Sequence, residues 1–212
     1  MSDLEKGTVN ANPLPRQTSA PRRRLGNPGP LGLFGFASTT LVLSLYNVNA
    51  RHITTPNVVV GLALFYGGLA QFLAGMWEFA VGNTFGATAF TSYGAFWLSF
   101  ATLFVPGSGI AAAYANNDQE DDALAIYLTV WMVVTILFLI ASLRKNVGFI
   151  ALFSFLTIIF MLLAIGDYTR NLKFAKAGGG FGILTALIAY YCGMCELLSP
   201  EDLFVLPLGR FA

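Results

Sequence analysis

Six apolar stretches of roughly 20 residues run through this 212-residue chain, and they contain no Lys or Arg and only two carboxylates, Glu78 and Glu196. They fall at about 31–49, 58–81, 85–105, 123–143, 147–166 and 177–198. A helix crosses the hydrocarbon core of a bilayer in about 20 residues, so each stretch is long enough to span. Six segments of this length cannot all be buried inside a globule of 212 residues. The pattern specifies an all-α polytopic membrane protein with six transmembrane helices in one bundle. Its two intramembrane carboxylates are the first places to look for function.

Composition agrees: 56% of the residues are hydrophobic and 11% charged, against roughly 25% charged in soluble domains, and the mean hydropathy is +0.66. The placement of charge says more than the net value of +1. Lys6, Arg16, Arg22, Arg23 and Arg24 crowd the N-terminal tail, while Asp118, Glu120, Asp121 and Asp122 fill the connection between the third and fourth stretches. With the N-terminus in the cytoplasm, six crossings return the C-terminus there. The inner side then holds those five basic residues with Arg144, Lys145 and Arg210, and the outer side holds Arg51, Arg170, Lys173 and Lys176, eight against four. The positive-inside rule favours this orientation, with both termini cytoplasmic and the plasma membrane as the expected location. The basic 167–176 connection argues weakly the other way.

Residues 1–26, with Pro13, Pro15 and Pro21 and few large apolar side chains, have the make-up of a disordered basic cytoplasmic tail. Arg22-Arg23-Arg24 reads as a topology signal, with anionic lipid as the alternative ligand. Residues 27–200 form the transmembrane domain, since its connections are short apart from 106–122, and 201–212 form a short cytoplasmic C-terminal tail. The first stretch is too long for a signal-peptide core and no small-residue cleavage site follows it, so no removed leader is expected. There is no nucleotide-binding loop, and neither a cofactor nor a nucleic-acid partner is expected. Cys192 and Cys195 form a C-x-x-C, but zinc needs four ligands, and the only His, His52, lies in the first outer loop. The pair reads as inert thiols, and no metal is expected. No stretch carries paired catalytic residues, so the chain does not read as an enzyme.

Glycines at 61, 68, 75 and 82 recur every seven residues along the second stretch, about two helical turns apart. They draw a bare stripe suited to close backbone approach. Gly182, Ala186, Ala189 and Gly193 form a similar series in the sixth. Both faces are expected against neighbouring helices, within a subunit or between subunits.

Asn27-Pro28-Gly29-Pro30-Leu31-Gly32-Leu33 opens the first stretch, with Asn27 a good N-cap and Pro28 suited to the first helical position. Further on come Gln71-Phe72-Leu73-Ala74-Gly75-Met76-Trp77-Glu78, Gly82-Asn83-Thr84-Phe85-Gly86 and Thr91-Ser92-Tyr93-Gly94-Ala95-Phe96-Trp97. In order and spacing this set resembles the acetate uptake transporter family, the succinate–acetate permeases of bacteria and fungi. Phe155-Leu156-Thr157 through Ala164-Ile165-Gly166 resembles its fifth span. The resemblance covers about 27–200, and the long basic tail looks more fungal than bacterial.

The resemblance implies six helices around a pore in each protomer, assembly into homo-hexamers in the lipid bilayer, and uptake of acetate or other small carboxylates, usually coupled to protons. It also implies a Phe–Tyr–Leu constriction, matched here by Phe36, Tyr93 and Leu156. Depth supports that match. Phe36 lies eight residues beyond Pro28, Tyr93 eight beyond Phe85 and Leu156 nine beyond Val147. These spacings correspond to roughly 12, 12 and 14 Å, near the middle of a core about 30 Å thick. Matched depth does not say which way each side chain faces.

Glu78 and Glu196 both lie near the ends of inward-running spans, where a carboxylate opposes the helix dipole and needs a donor, water or a proton to compensate. Asn83 and Thr84 are the candidate partners of Glu78. Two readings stand for the carboxylates: a protonatable inner vestibule, or interfacial side chains reaching for water. With no basic residue in the stretches, an anion must be bound by neutral donors: helix-start amides near Asn27 and Asn83, and hydroxyls of Thr84, Thr91, Ser92 and Tyr93. Gln71, inside the signature block, joins them as a pore candidate. Weak binding of this kind suits rapid passage. The sequence leaves channel and alternating-access carrier both open. It also leaves a carboxylate-sensing membrane protein and an ammonium or ammonia transporter as alternatives.

Overall fold

The computed structural model describes residues 25–209, which contain helices and no strand. The helices are α1 (Gly29–Asn47), α2 (Val59–Val81), α3 (Thr84–Thr102), the short α4 (Ile110–Tyr114), α5 (Glu120–Ser142), α6 (Val147–Thr169) and α7 (Leu172–Leu197). The tail expected over 1–26 lies outside the described residues except for Leu25 and Gly26, as does Arg210. Five helices are long and apolar enough to cross a membrane: α1, α2, α5, α6 and α7. The sixth long helix, α3, matches α1 at 19 residues but is studded with Thr84, Thr88, Thr91, Ser92, Ser99 and Thr102.

The helices reach past the apolar stretches into charged residues: α5 starts on Glu120, Asp121 and Asp122, α6 takes in Asp167, and α7 takes in Lys173 and Lys176. Acidic residues in a first turn complement the helix dipole, so α5 gains a turn from the loop that precedes it. At the same end, Arg170 closes α6 in a left-handed conformation (φ 50°). It bonds Asp121 at 3.3 Å and the carbonyl of Asp118 at 2.7 Å, the one ion pair among the described residues.

Around the bundle, α1 packs between α2 and α7, α7 packs on α6 and α6 on α5, while α2 packs on α3. The α7 series behaves as its spacing predicts, with Gly182, Ala186, Ala189 and Gly193 all buried. Gly182 lies against Ser44, and Gly193 against Phe34 and Leu33. The α2 stripe does not hold. Residues Phe65–Ala70 form a π-helical turn, whose i→i+5 bonding moves later residues around the axis. A seven-residue repeat therefore cannot stay on one face across it. Gly61 has nothing within 4 Å of where a Cβ would stand, and Gly82 (φ 86°) ends the helix. Gly68 and Gly75 alone are buried.

The ring closes differently between α3 and α5. There the backbones stay apart, and large side chains bridge them: Phe96 on Trp131 with centroids 5.1 Å apart, and Ser99 bonded to Tyr127 at 2.7 Å. The C-terminal segment returns to the end of the bundle where α6 begins: Val147 N–H bonds Gly209 O at 2.9 Å, and Tyr191 donates to Pro207 O at 2.7 Å.

The glycines make a direct test. A Cβ at Gly75 would stand 2.6 Å from the backbone nitrogen of Thr91, so Gly75→Ala is expected to cost about 1–3 kcal/mol and lower the unfolding temperature in detergent by several degrees. Gly61→Ala meets open space and is expected to leave that temperature unchanged or slightly raised.

Candidate functional site

Antiparallel packing brings Asn27, Glu78, Asn83 and Glu196 to the same end of the bundle, where α1, α3 and α6 start and α2 and α7 finish. The local sequence builds the Glu78–Asn83 pair. Gly82 turns the chain out of α2, and its N–H and that of Asn83 bond the carbonyls of Phe79 and Glu78 at 3.1 and 2.9 Å, a Schellman-type stop. The next residue then folds its side chain back: Asn83 Oδ1 accepts Gly86 N–H at 3.1 Å, capping α3, while Asn83 Nδ2 donates to Glu78 Oε2 at 2.8 Å. A Cβ at Gly86 would stand 2.5 Å from Asn83 Nδ2 and 3.2 Å from Glu78 Cδ, so this close seat needs glycine. Glu78 is only 3% exposed.

Glu196 is held by similar logic. Its carbonyl accepts Asn27 Nδ2–H at 3.1 Å, and Asn27 Oδ1 accepts Gly29 N–H at 3.0 Å. A Cβ at Gly29 would overlap Glu196 Oε2, so the carboxylate rests on the first turn of α1. The helix itself begins at Gly29, one residue later than the sequence suggests, so that Pro28 takes the N-cap position and Asn27, one residue outside, still accepts the first helical N–H. Each carboxylate that opposes the dipole of its own helix therefore lies beside the positive end of a neighbour.

These groups surround a cavity of about 40 Å³ that runs inward to Phe36 and Tyr93, with Gln71, Glu78, Asn83 and Glu196 as its polar wall. A second cavity of about 40 Å³ begins on the other side of Phe36 and Tyr93, and is lined by Leu156 and by Thr40, Ser44 and Asn47 of α1. Each is large enough for water. Phe36 and Tyr93 stand edge to face with centroids 5.8 Å apart. All three residues of the expected constriction are buried, at 4%, 3% and 4% exposure. The rings of Phe36 and Tyr93 are shared by both cavities, whereas Leu156 borders only the second.

The hydroxyl series is placed otherwise. Thr84 and Ser92 face an outward groove towards α5. Thr91 lies in the α2–α3 seam against Gly75, its Oγ1 without a hydrogen-bond partner among the described residues. Tyr93 is bonded to Thr135 Oγ1 at 2.9 Å, and since Thr135 spends its own proton on Trp131 O at 2.7 Å, Tyr93 is the donor. Its proton is not free for an anion. None of these hydroxyls offers a free donor to either cavity: that of Tyr93 is spent on Thr135, and helical spacing of about 100° per residue points Thr84, Thr91 and Ser92 to other sides.

Gln71 does reach the cavity. It is 1% exposed, two turns before Glu78 on α2, and its Oε1 has no partner among the described residues. Sequence reasoning missed Phe149 and Phe153, which line the first cavity from α6. Phe153 also stacks on Tyr93 with centroids 6.2 Å apart. Both lie on the face that runs back from Leu156 in steps of three and seven residues, the signal that would have found them. Cys192 is fully buried and Cys195 partly so, both as free thiols. No metal-binding cluster occurs among the described residues.

Comparison with known proteins agrees in sequence and shape. Over 205 residues the chain is 43% identical to acetate permease A of Emericella nidulans, covering 91% of this chain and 69% of that protein. Over 201 residues it is 42% identical to ammonia transport outward protein 2 of Saccharomyces cerevisiae, covering 94% and 70%. The solved structure of the bacterial acetate channel SatP superposes with a TM-score of 0.78 at 37% identity, covering 88% of this chain and 100% of that one. The model of the GPR1/FUN34/yaaH family matches residues 7–210, and the chain belongs to that family.

Proposed function

We propose that this chain carries acetate and related small carboxylates across the plasma membrane through a pore within each protomer, with α3 as the sixth span. The observation that carries this reading is the pair of cavities set end to end on the axis, with Phe36 and Tyr93 in the wall of both. Together with Leu156 these side chains form the narrow waist, and the polar groups lie on either side of it. The termini face the cytoplasm, so the Glu78 cavity is the inner vestibule. The apolar side chains exposed on α2 and α5, among them Phe65, Trp77, Leu137 and Ile140, give ample surface for a homo-hexamer and for lipid.

The vestibule gives the proton a role. Its wall has two carboxylates and neither Lys nor Arg. Unit like charges about 4 Å apart repel by about 4 kcal/mol at an effective dielectric of 20. A proton on Glu78 removes that repulsion as a carboxylate passes, and Gln71, whose NH2 can donate two hydrogen bonds, receives it. Asn83 holds Glu78 in place for this exchange. The same carboxylates favour a second reading, ammonium, which two acidic groups would attract.

Proteoliposomes decide between the readings. Labelled acetate should enter saturably and faster with an inward proton gradient. Ammonium uptake without acetate uptake would establish the second reading, and tight acetate binding without any uptake would mean a sensor. Glu78→Gln at matched expression is expected to slow acetate entry several-fold and to flatten its pH dependence, with Glu196→Gln doing less. An unchanged rate and pH profile would leave Glu78 a structural cap.

Leu156→Ala tests the waist. An apolar ring strips water from a passing carboxylate, a cost that falls as the ring widens. The succinate-to-acetate uptake ratio is therefore expected to rise several-fold. The ratio should stay at the wild-type value in Ile158→Ala, since Ile158 borders neither cavity. The reverse result removes Leu156 from the waist.

A further inference from the structure

Where α3 and α5 stay apart, the bridge between them is one-sided. Tyr93–Thr135, Phe96–Trp131 and Ser99–Tyr127 tie the helices together from mid-depth towards the far end. On the Lys145 side they leave an open groove of about 660 Å³. Val134, Leu137 and Ala141 line it from α5, and Thr88 and Ser92 from α3. From Thr84 to Ser92 it runs eight residues, roughly 12 Å, close to the depth of one leaflet's hydrocarbon, half of about 30 Å.

Lys145 closes its end. This residue sits in the turn between α5 and α6, exposed, with Nζ 4.6 Å from the centroid of the Phe85 ring. Neither Lys145 nor its neighbour Arg144 is in an ion pair among the described residues; the one pair there lies at the opposite end of the bundle. A cation without a carboxylate, at the end of an apolar slot one leaflet deep, complements a molecule with an acidic head and an apolar tail.

We propose that this groove seats an acidic phospholipid, its phosphate on Lys145 and one acyl chain between α3 and α5. In the proposed orientation that is the cytoplasmic leaflet, where acidic lipids are concentrated. The site also touches the pore wall. Phe85 borders both the groove and the Glu78 cavity, so the lipid bears on the aromatic side chain that separates the membrane from the vestibule.

The test uses the full-length protein, purified in a neutral detergent and checked for monodispersity. Its retention of phosphatidylserine and phosphatidylcholine with identical acyl chains is measured by native mass spectrometry. Wild type is expected to retain phosphatidylserine in preference. Lys145→Gln should weaken that retention about five-fold, the worth of one basic side chain at a charged surface, and leave phosphatidylcholine unchanged. Lys145→Arg should keep the preference, and Ala141→Trp, which fills the slot, should weaken both lipids. Equal retention of the two lipids by wild type, or an undiminished preference in Lys145→Gln, would overturn the proposal. So would loss of an oligomer in Lys145→Gln and Ala141→Trp with lipid retention intact, since the groove would then be a contact between copies of the chain.

Discussion

The bundle depends on how closely α1 lets two neighbours approach. In lipid there is no hydrophobic force to press helices together, so association rests on van der Waals contact and hydrogen bonds, which need small side chains. A Cβ at Gly35 would stand 2.6 Å from the carbonyl oxygen of Tyr66 on α2, and one at Gly179 would stand 2.9 Å from that of Ser44 on α1. With α2 and α7 held this near, the remaining face of α1 turns towards the axis and presents Leu33, Phe36 and Thr40. Because α3 and α5 are held apart by aromatic side chains, that axis is left partly open.

The same antiparallel arrangement answers a problem posed by the sequence. Glu78 and Glu196 are each unfavourable within their own helix, yet each lies against the start of the helix beside it, with an asparagine cap at the junction. Pairing with the neighbour's positive end is what lets two carboxylates remain in a chain otherwise cleared of charge over its spans. It also places both carboxylates in the wall of one cavity.

Much of this was legible beforehand for a physical reason. The Gly82-Asn83 turn and the Asn27 bond at the start of α1 are local consequences of residue type and appear within a residue of where the sequence puts them. The spans follow from apolar length and miss by up to five residues where a helix runs on into charged positions, as α7 does. The depth shared by Phe36 and Tyr93 was readable from counting, and both do border the axis. What failed depended on rotation about a helix. Thr84, Thr91 and Ser92 lie at suitable depths but point to the outer groove or into a helix seam. The π turn over Phe65–Ala70 leaves no compositional mark, yet it separates Gly61 from the buried Gly68 in the seven-residue series of α2. Depth follows from counting along a chain, whereas azimuth depends on every turn before it.

The proposed waist is unequally supported, and that bears on how it would open. Tyr93 is fixed on several sides: its hydroxyl donates to Thr135, and its ring packs on Trp131, Phe138 and Phe153 with centroids 5.7 to 6.2 Å apart. Phe36 has a single aromatic neighbour among the described residues, Tyr93 itself, and Leu156 has two rotatable side-chain bonds and no polar tie. Moving Tyr93 means breaking a buried hydrogen bond and disturbing an aromatic cluster, each about 1 kcal/mol or more. A rotamer change at Phe36 or Leu156 disturbs far fewer contacts. The proposed ring is thus held most firmly at Tyr93, and its least constrained side chains are Phe36 of α1 and Leu156 of α6, a helix whose Phe153 also stacks on Tyr93.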